Sequence, residues 1–225
     1  MRVSGSSGTR GAVVFAAAVL VAGCSAGEIV VGHPQASLDS FAPTERDNDP
    51  STRIRGVVIT EIASGQQHVT ATQRVAYPSI PPVGGPHDSR WADCTGVVYP
   101  QALRTENAVH SLEHGAVWIA YDPARVSDAD QETLSAKVTG RQYTLMSPIP
   151  DMAQPISLQS WGHQLTLDSA DDERIDQFLV ALRENPYTTP EVGATCSSPL
   201  FDRDNPPPYD PTPPGADAVP MSGVR

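Results

Sequence analysis

Six histidines occur in the chain, and two of them stand in one short block, His110-Ser-Leu-Glu-His114, of the form HxxEH. Whether that block can chelate an ion depends on backbone geometry. In a strand, His110 and His114 would share a face but stand about 13 Å apart, at about 3.3 Å per residue. On a helix, positions four apart lie about 6 Å from each other with their side chains in one direction, the spacing that chelation requires. The flanking residues favour a short helix. Thr105 or Asn107 can cap its start, and Gly115 suits the left-handed residue that ends it.

Two imidazoles need a third ligand. The candidates are His87, which ends a loop rich in Pro and Gly from residue 81, and His68, at the head of a β-rich stretch. Glu113 is expected to orient an imidazole from behind the ligand shell. Copper and zinc both suit imidazole ligands. Met146 and Met152 would add soft ligands for Cu(I) if they faced the histidines, but methionines near strands are more often core. His33 and His163 are left outside the set.

HxxEH also matches the inverted zinc-peptidase motif, in which the Glu is the general base for a metal-bound water. That motif belongs inside a long helix, whereas this block has about two turns before the apolar run 116–121. Three readings follow, in order of preference. The first is a His-rich transition-metal site on His68, His87, His110 and His114. The second is a non-catalytic binding or scaffold module whose histidines are satisfied by Glu113, Asp88 or backbone carbonyls. The third is a metal-dependent hydrolase with Glu113 as base. No P-loop, dinucleotide-binding glycine turn or GxSxG elbow is present.

The leader places the chain in the cell. Arg2 and Arg10 precede an apolar run at residues 12–22, a positive region followed by a signal-peptide core. Eleven helical residues span about 16 Å, half the hydrocarbon thickness of a bilayer, too short for a spanning anchor. The run ends in Val21-Ala22-Gly23-Cys24, which resembles a bacterial lipobox, so Cys24 is expected to carry the lipid that anchors the exported chain to the outer face of the cytoplasmic membrane. In an exported chain Cys94 and Cys196 have no reducing pool, and a disulfide between them is expected. The alternative, a pair of thiolate ligands, lacks a zinc-ribbon or CxxC spacing. The formal charge is −11, with one Lys, Lys137, among the 15 basic residues. That balance argues against nucleic acid as a partner, because phosphate backbones require clustered positive charge.

The elements that must position these residues follow from period and punctuation. Residues 53–62 and 68–77 are β-rich and suggest a hairpin, and 116–121 reads as a buried strand. Ser127 caps a helix that Gly140 ends. Strands are expected at 143–146 and 156–167, with Gly162 the place where the second could break. Ser169 opens a last helix with Ile175, Phe178, Leu179 and Leu182 on one face. The expected fold is α+β, a small, mostly antiparallel sheet against two helices. Four segments result: a signal peptide (1–23), the acylated Cys24 with a flexible tether (24–51), the folded domain (52–199) and a disordered tail (200–225). Ten of the 22 prolines lie between Pro186 and Pro220, hence the tail.

The loop ending at His87, then Trp91, Cys94, the block His110-Ser-Leu-Glu-His114-Gly and the later Trp161-Gly162 resemble the domain of unknown function 3105 family of exported bacterial proteins, over about residues 55–196. The resemblance implies a lipoprotein or membrane-anchored domain and groups His68, His87, His110, Glu113 and His114 into one site. It implies no activity, and the family pattern favours Arg where this chain has His163.

Overall fold

The computed structural model describes residues 37–62 and 67–221. The expected signal peptide, Cys24 and the tether as far as residue 36 lie outside the described residues. Among the described residues no helix is long and apolar enough to cross a membrane.

In chain order the elements are β1 (Val58–Ile59), β2 (His68–Val69), β3 (Val75–Ala76), β4 (His87–Asp88), β5 (Thr95–Val98), α1 (Thr105–Glu113), β6 (Val117–Tyr121), α2 (Asp128–Val138), β7 (Thr144–Pro148), β8 (Ile156–Ser160), β9 (His163–Leu167), α3 (Arg174–Leu182) and β10 (Val219–Pro220). Two 3-10 turns, Leu38–Phe41 and Pro50–Arg53, precede them. The fold is α+β. Its main sheet runs β1-β9-β8-β6-β7-β5 and is mixed, with three antiparallel pairings followed by two parallel ones.

The apolar run of β6 explains why it is central. Successive side chains alternate between faces, so Val117, Ile119 and Tyr121 enter one core while Trp118 and Ala120 enter the other. A strand buried on both faces is apolar throughout rather than alternating. The first core is closed by Leu134 and Val138 of α2 and by Ile175, Phe178, Leu179 and Leu182 of α3, the face expected from the sequence. The second is closed by Ala108, Val109 and Leu112 of α1. α1 therefore lies alone on its side of the sheet, and the candidate ligands come with it.

Punctuation residues act largely as read. Ser127 Oγ accepts the amide of Asp130 at the start of α2, Gly140 follows it with φ +71°, and Gly162 turns β8 into β9. Gly115 closes α1 with φ +97°. The cap at the other end of α1 differs from expectation: Arg104 occupies it, Thr105 is the first helical residue, and Asn107 donates to the carbonyl of Arg90 instead. α3 begins at Arg174, about a turn after Ser169.

Three larger expectations are corrected. The hairpin between 53–62 and 68–77 does not form: β1 pairs with β9, β2 with β4, and β3 with β10. Two-residue strands carry too little alternation to pair with each other, so their partners are set by the surrounding fold. The tether is shorter than 24–51, because Phe41 is buried in the core with α3 and Asp49 caps the second 3-10 turn. The proline-rich segment is not a free tail. Phe201 is buried against Tyr99, the amide of Arg104 donates to the Pro207 carbonyl at 2.9 Å, and Arg74 holds Asp210. A chain rich in proline is already extended and keeps its carbonyl acceptors, so it can lie along a surface at small entropic cost.

Candidate metal centre

α1 is buried along its whole length although six of its nine residues are polar or charged. Polar groups so placed must find partners, since an unmet one costs about 1–3 kcal/mol. Glu106 accepts the amide of Val75 at 2.9 Å, Ser111 Oγ donates to the carbonyl of Ala92 at 2.7 Å, and Asn107 meets Arg90 as noted. His110 Nδ1 donates to the carbonyl of Asp88 at 2.6 Å, and His114 Nδ1, just past the helix, to that of Thr195 at 2.8 Å. Parallel pairing of β2 with β4 sets His68 opposite His87, whose Nδ1 donates to the carbonyl of Gly85 at 2.8 Å. A carbonyl can only accept, so in all three rings Nδ1 carries a proton and Nε2 is the nitrogen that can face a ligand.

Among the described residues of the helix, Asn107 Oδ1 and both oxygens of Glu113 go unmet, and Glu113 alone has a whole carboxylate so placed. Its Oε2 lies 2.9 Å from His87 Nε2, and the two side chains are 1% and 0% exposed. The separation is that of a hydrogen bond but the direction is not: among the described residues neither His87 Nε2 nor either Glu113 oxygen has a hydrogen-bond partner. Two ligands of one ion behave this way, because each aims at the ion and not at the other. With bonds of about 2.0–2.2 Å and a tetrahedral angle their separation would be about 3.3–3.6 Å, so this pair opens by roughly 0.5 Å on binding.

His68, His87, His110 and Glu113 each bring a ligand atom within 4.8 Å of the others, and this group could hold a metal ion. The imidazoles are packed ring to ring: His87 and His110 have centroids 4.6 Å apart, and His68 stacks on His110 at 5.0 Å. Burial disfavours the charged imidazole and pushes the pKa of His110 down to about 3, despite the opposing hydrogen bond to Asp88; burial likewise lowers that of His114. At neutral pH both rings are uncharged, the form that ligates.

The chain matches the family described as protein of unknown function (DUF3105) over residues 68–198. It belongs to that family. No curated protein and no solved structure gives a match.

The DUF3105 domain brings together His68, His87 and His110 as expected, with His68 exposed at the rim. Glu113 does not take the orienting role assigned to it. Backbone carbonyls orient the imidazoles, and the carboxylate stands among the ligand atoms. His114 falls in a neighbouring group with His110 and Glu191. Glu191 was missed, since it sits in a loop without period; the disulfide was the available signal, because it ties the following segment to Trp91. That bridge is present between Cys94 and Cys196, with Cα atoms 4.8 Å apart. Cys196 sits next to Thr195, whose carbonyl anchors His114. Both cysteines are thereby unavailable as ligands. His163 lies elsewhere, hydrogen-bonded to Asp49. Met146 and Met152 are core residues, on opposite faces of the sheet.

Proposed function

We propose that this domain binds one Zn(II) or Cu(II) ion through His68, His87 and His110 with Glu113 as the fourth ligand, and that Cys24 carries the lipid that holds it at the outer face of the cytoplasmic membrane. The observation that supports the metal site is the buried His87–Glu113 contact, an imidazole Nε2 and a carboxylate oxygen at 2.9 Å with no hydrogen bond between them. A cation between the two would satisfy both. A carboxylate and three imidazoles, with no thioether or thiolate, favour the divalent ions over Cu(I). Tetrahedral bonds require ligand atoms about 3.3 Å apart, so the widest pairs close by roughly 1.5 Å on binding. Exposed His68 is the side chain free to do so. The membrane location rests on the residues up to Cys24.

Elemental analysis of protein purified from its native envelope tests the first part. About one ion per chain is expected, and none in a His87→Ala/His110→Ala variant; negligible metal in both would contradict it. Labelling with a palmitate analogue tests the second, and a Cys24→Ala chain that keeps the label would end it.

A further inference from the structure

His110 belongs to two groups of candidate ligand atoms. On one side are His68, His87 and Glu113; on the other are His114 and Glu191, with His110, His114 and Glu191 again within 4.8 Å of one another. His114 Nε2 lies 3.5 Å from Glu191 Oε2. The rings of His110 and His114 meet edge to face at 4.6 Å, and Trp91 packs against both, at 5.4 and 4.8 Å.

The second group is built rather than incidental. His114 is held by the Thr195 carbonyl beside the Cys94–Cys196 bridge, and the amide of Glu191 donates to the carbonyl of Glu113 at 3.2 Å. The loop that carries Glu191 is therefore tied to the end of the helix that carries the other two ligands. Exposure differs sharply between the groups: the Glu191 side chain is 43% exposed, while Glu113 and His87 are sealed. A cavity of about 210 Å³, lined by His114, Glu184 and Thr189 among others, opens beside the outer group. Glu191 makes that approach attractive to a cation, while Glu184 is paired with Arg183 at 2.8 Å.

His110 cannot serve both groups at once. Its Nδ1–H is committed to the Asp88 carbonyl, so only Nε2 can ligate, and one lone pair binds one ion. We infer that the ion has two mutually exclusive stations, an exposed outer one on His114, Glu191 and His110 and a buried inner one on His110, His87, Glu113 and His68, and that it is handed inward by His110. The inference rests on the metal-binding reading above. Three ligands at the outer station against four at the inner one make the outer the weaker, as an entry position must be.

Stopped-flow binding of Zn(II) and its extraction by a chelator test this on the full folded domain, with Co(II) spectra to distinguish the ligand sets. Wild type is expected to bind one ion. Glu191→Gln is expected to leave Zn(II) affinity within about threefold while slowing both loading and extraction by about tenfold or more. Glu113→Gln/His87→Ala is expected to retain one weakly held ion with an altered Co(II) spectrum, and adding Glu191→Gln to it abolishes binding. The handover is overturned if Glu191→Gln exchanges metal at the wild-type rate, which would mean that ions enter past His68. Two ions bound together would overturn it as well, as would a loss of affinity in Glu191→Gln equal to its loss of rate. Absence of any ion on wild type would instead remove the metal reading on which the handover stands.

Discussion

His87 and His163 are anchored in the same manner but meet their carboxylates differently. Each donates Nδ1–H to the carbonyl two residues upstream, Gly85 at 2.8 Å and Trp161 at 2.6 Å, and each presents Nε2 to a carboxylate, Glu113 at 2.9 Å and Asp49 at 3.1 Å. At His163 the second nitrogen points at its oxygen and a hydrogen bond forms, while Asp49 also accepts the Ser51 amide and hydroxyl. The pair is saturated, and it fastens the segment before β1 to the head of β9. At His87 the same carboxylate approach makes no hydrogen bond. Histidine number and spacing do not separate the two cases; the aim of the second nitrogen does.

Several experiments would break or sharpen that contrast. The largest effect is expected from the bridge on the His87 side. Replacing both Cys94 and Cys196 by Ser opens a loop with a sequence separation of 102 and is expected to cost about 4–5 kcal/mol in the chain-entropy limit, read by denaturant unfolding. It also frees the Thr195 anchor of His114, so zinc loading slows in the same variant; unchanged loading would detach His114 from the account.

Zinc itself comes next. At a free concentration 100-fold above its dissociation constant the ion adds about 2.7 kcal/mol to the folded state, which for a domain of this size raises Tm by roughly 5–10 °C. Glu113→Gln is expected to lose most of that rise and Asp49→Asn none of it. A Glu113→Gln protein stabilised as fully as wild type would make the two carboxylates equivalent.

The smallest effect belongs to the saturated pair. Asp49→Asn removes one charge-assisted hydrogen bond in a part-buried setting and is expected to cost about 1–2 kcal/mol. Burial alone would raise the Asp49 carboxyl, but the hydrogen bonds from His163 and Ser51 outweigh it and hold the pKa below the ordinary value. A carboxyl depressed in the folded state contributes stability that is complete above the unfolded pKa, near 4, and is lost as pH falls through the folded value. Wild type should therefore lose stability more steeply than Asp49→Asn below about pH 4. Parallel acid-unfolding curves would show that the pair is idle.

The chelating helix was legible because a four-residue spacing between two histidines, closed by a glycine, has one geometric solution that brings them together. Ser127, Gly140 and Gly162 were legible for the same reason, each being a residue type with a single local job. The disulfide followed from the expectation of export, which leaves Cys94 and Cys196 no reducing pool. Glu191 was not legible, because its position depends on a loop returning to α1 and no local pattern encodes a return. Phe41 was hidden in the same way: one buried aromatic in a polar stretch makes no periodicity. That Glu113 meets His87 Nε2 rather than Nδ1 was not legible, because sequence spacing cannot tell which ring nitrogen a backbone carbonyl has already claimed.

The most direct test is a calorimetric titration of the metal-free domain with Zn(II), comparing wild type, Glu113→Gln and Asp49→Asn. One ion per wild-type chain is predicted, with affinity reduced about 10–100-fold or more in Glu113→Gln and unchanged in Asp49→Asn. Equal affinity in all three, or no heat of binding in wild type, would contradict the claim that His87 and Glu113 face an ion.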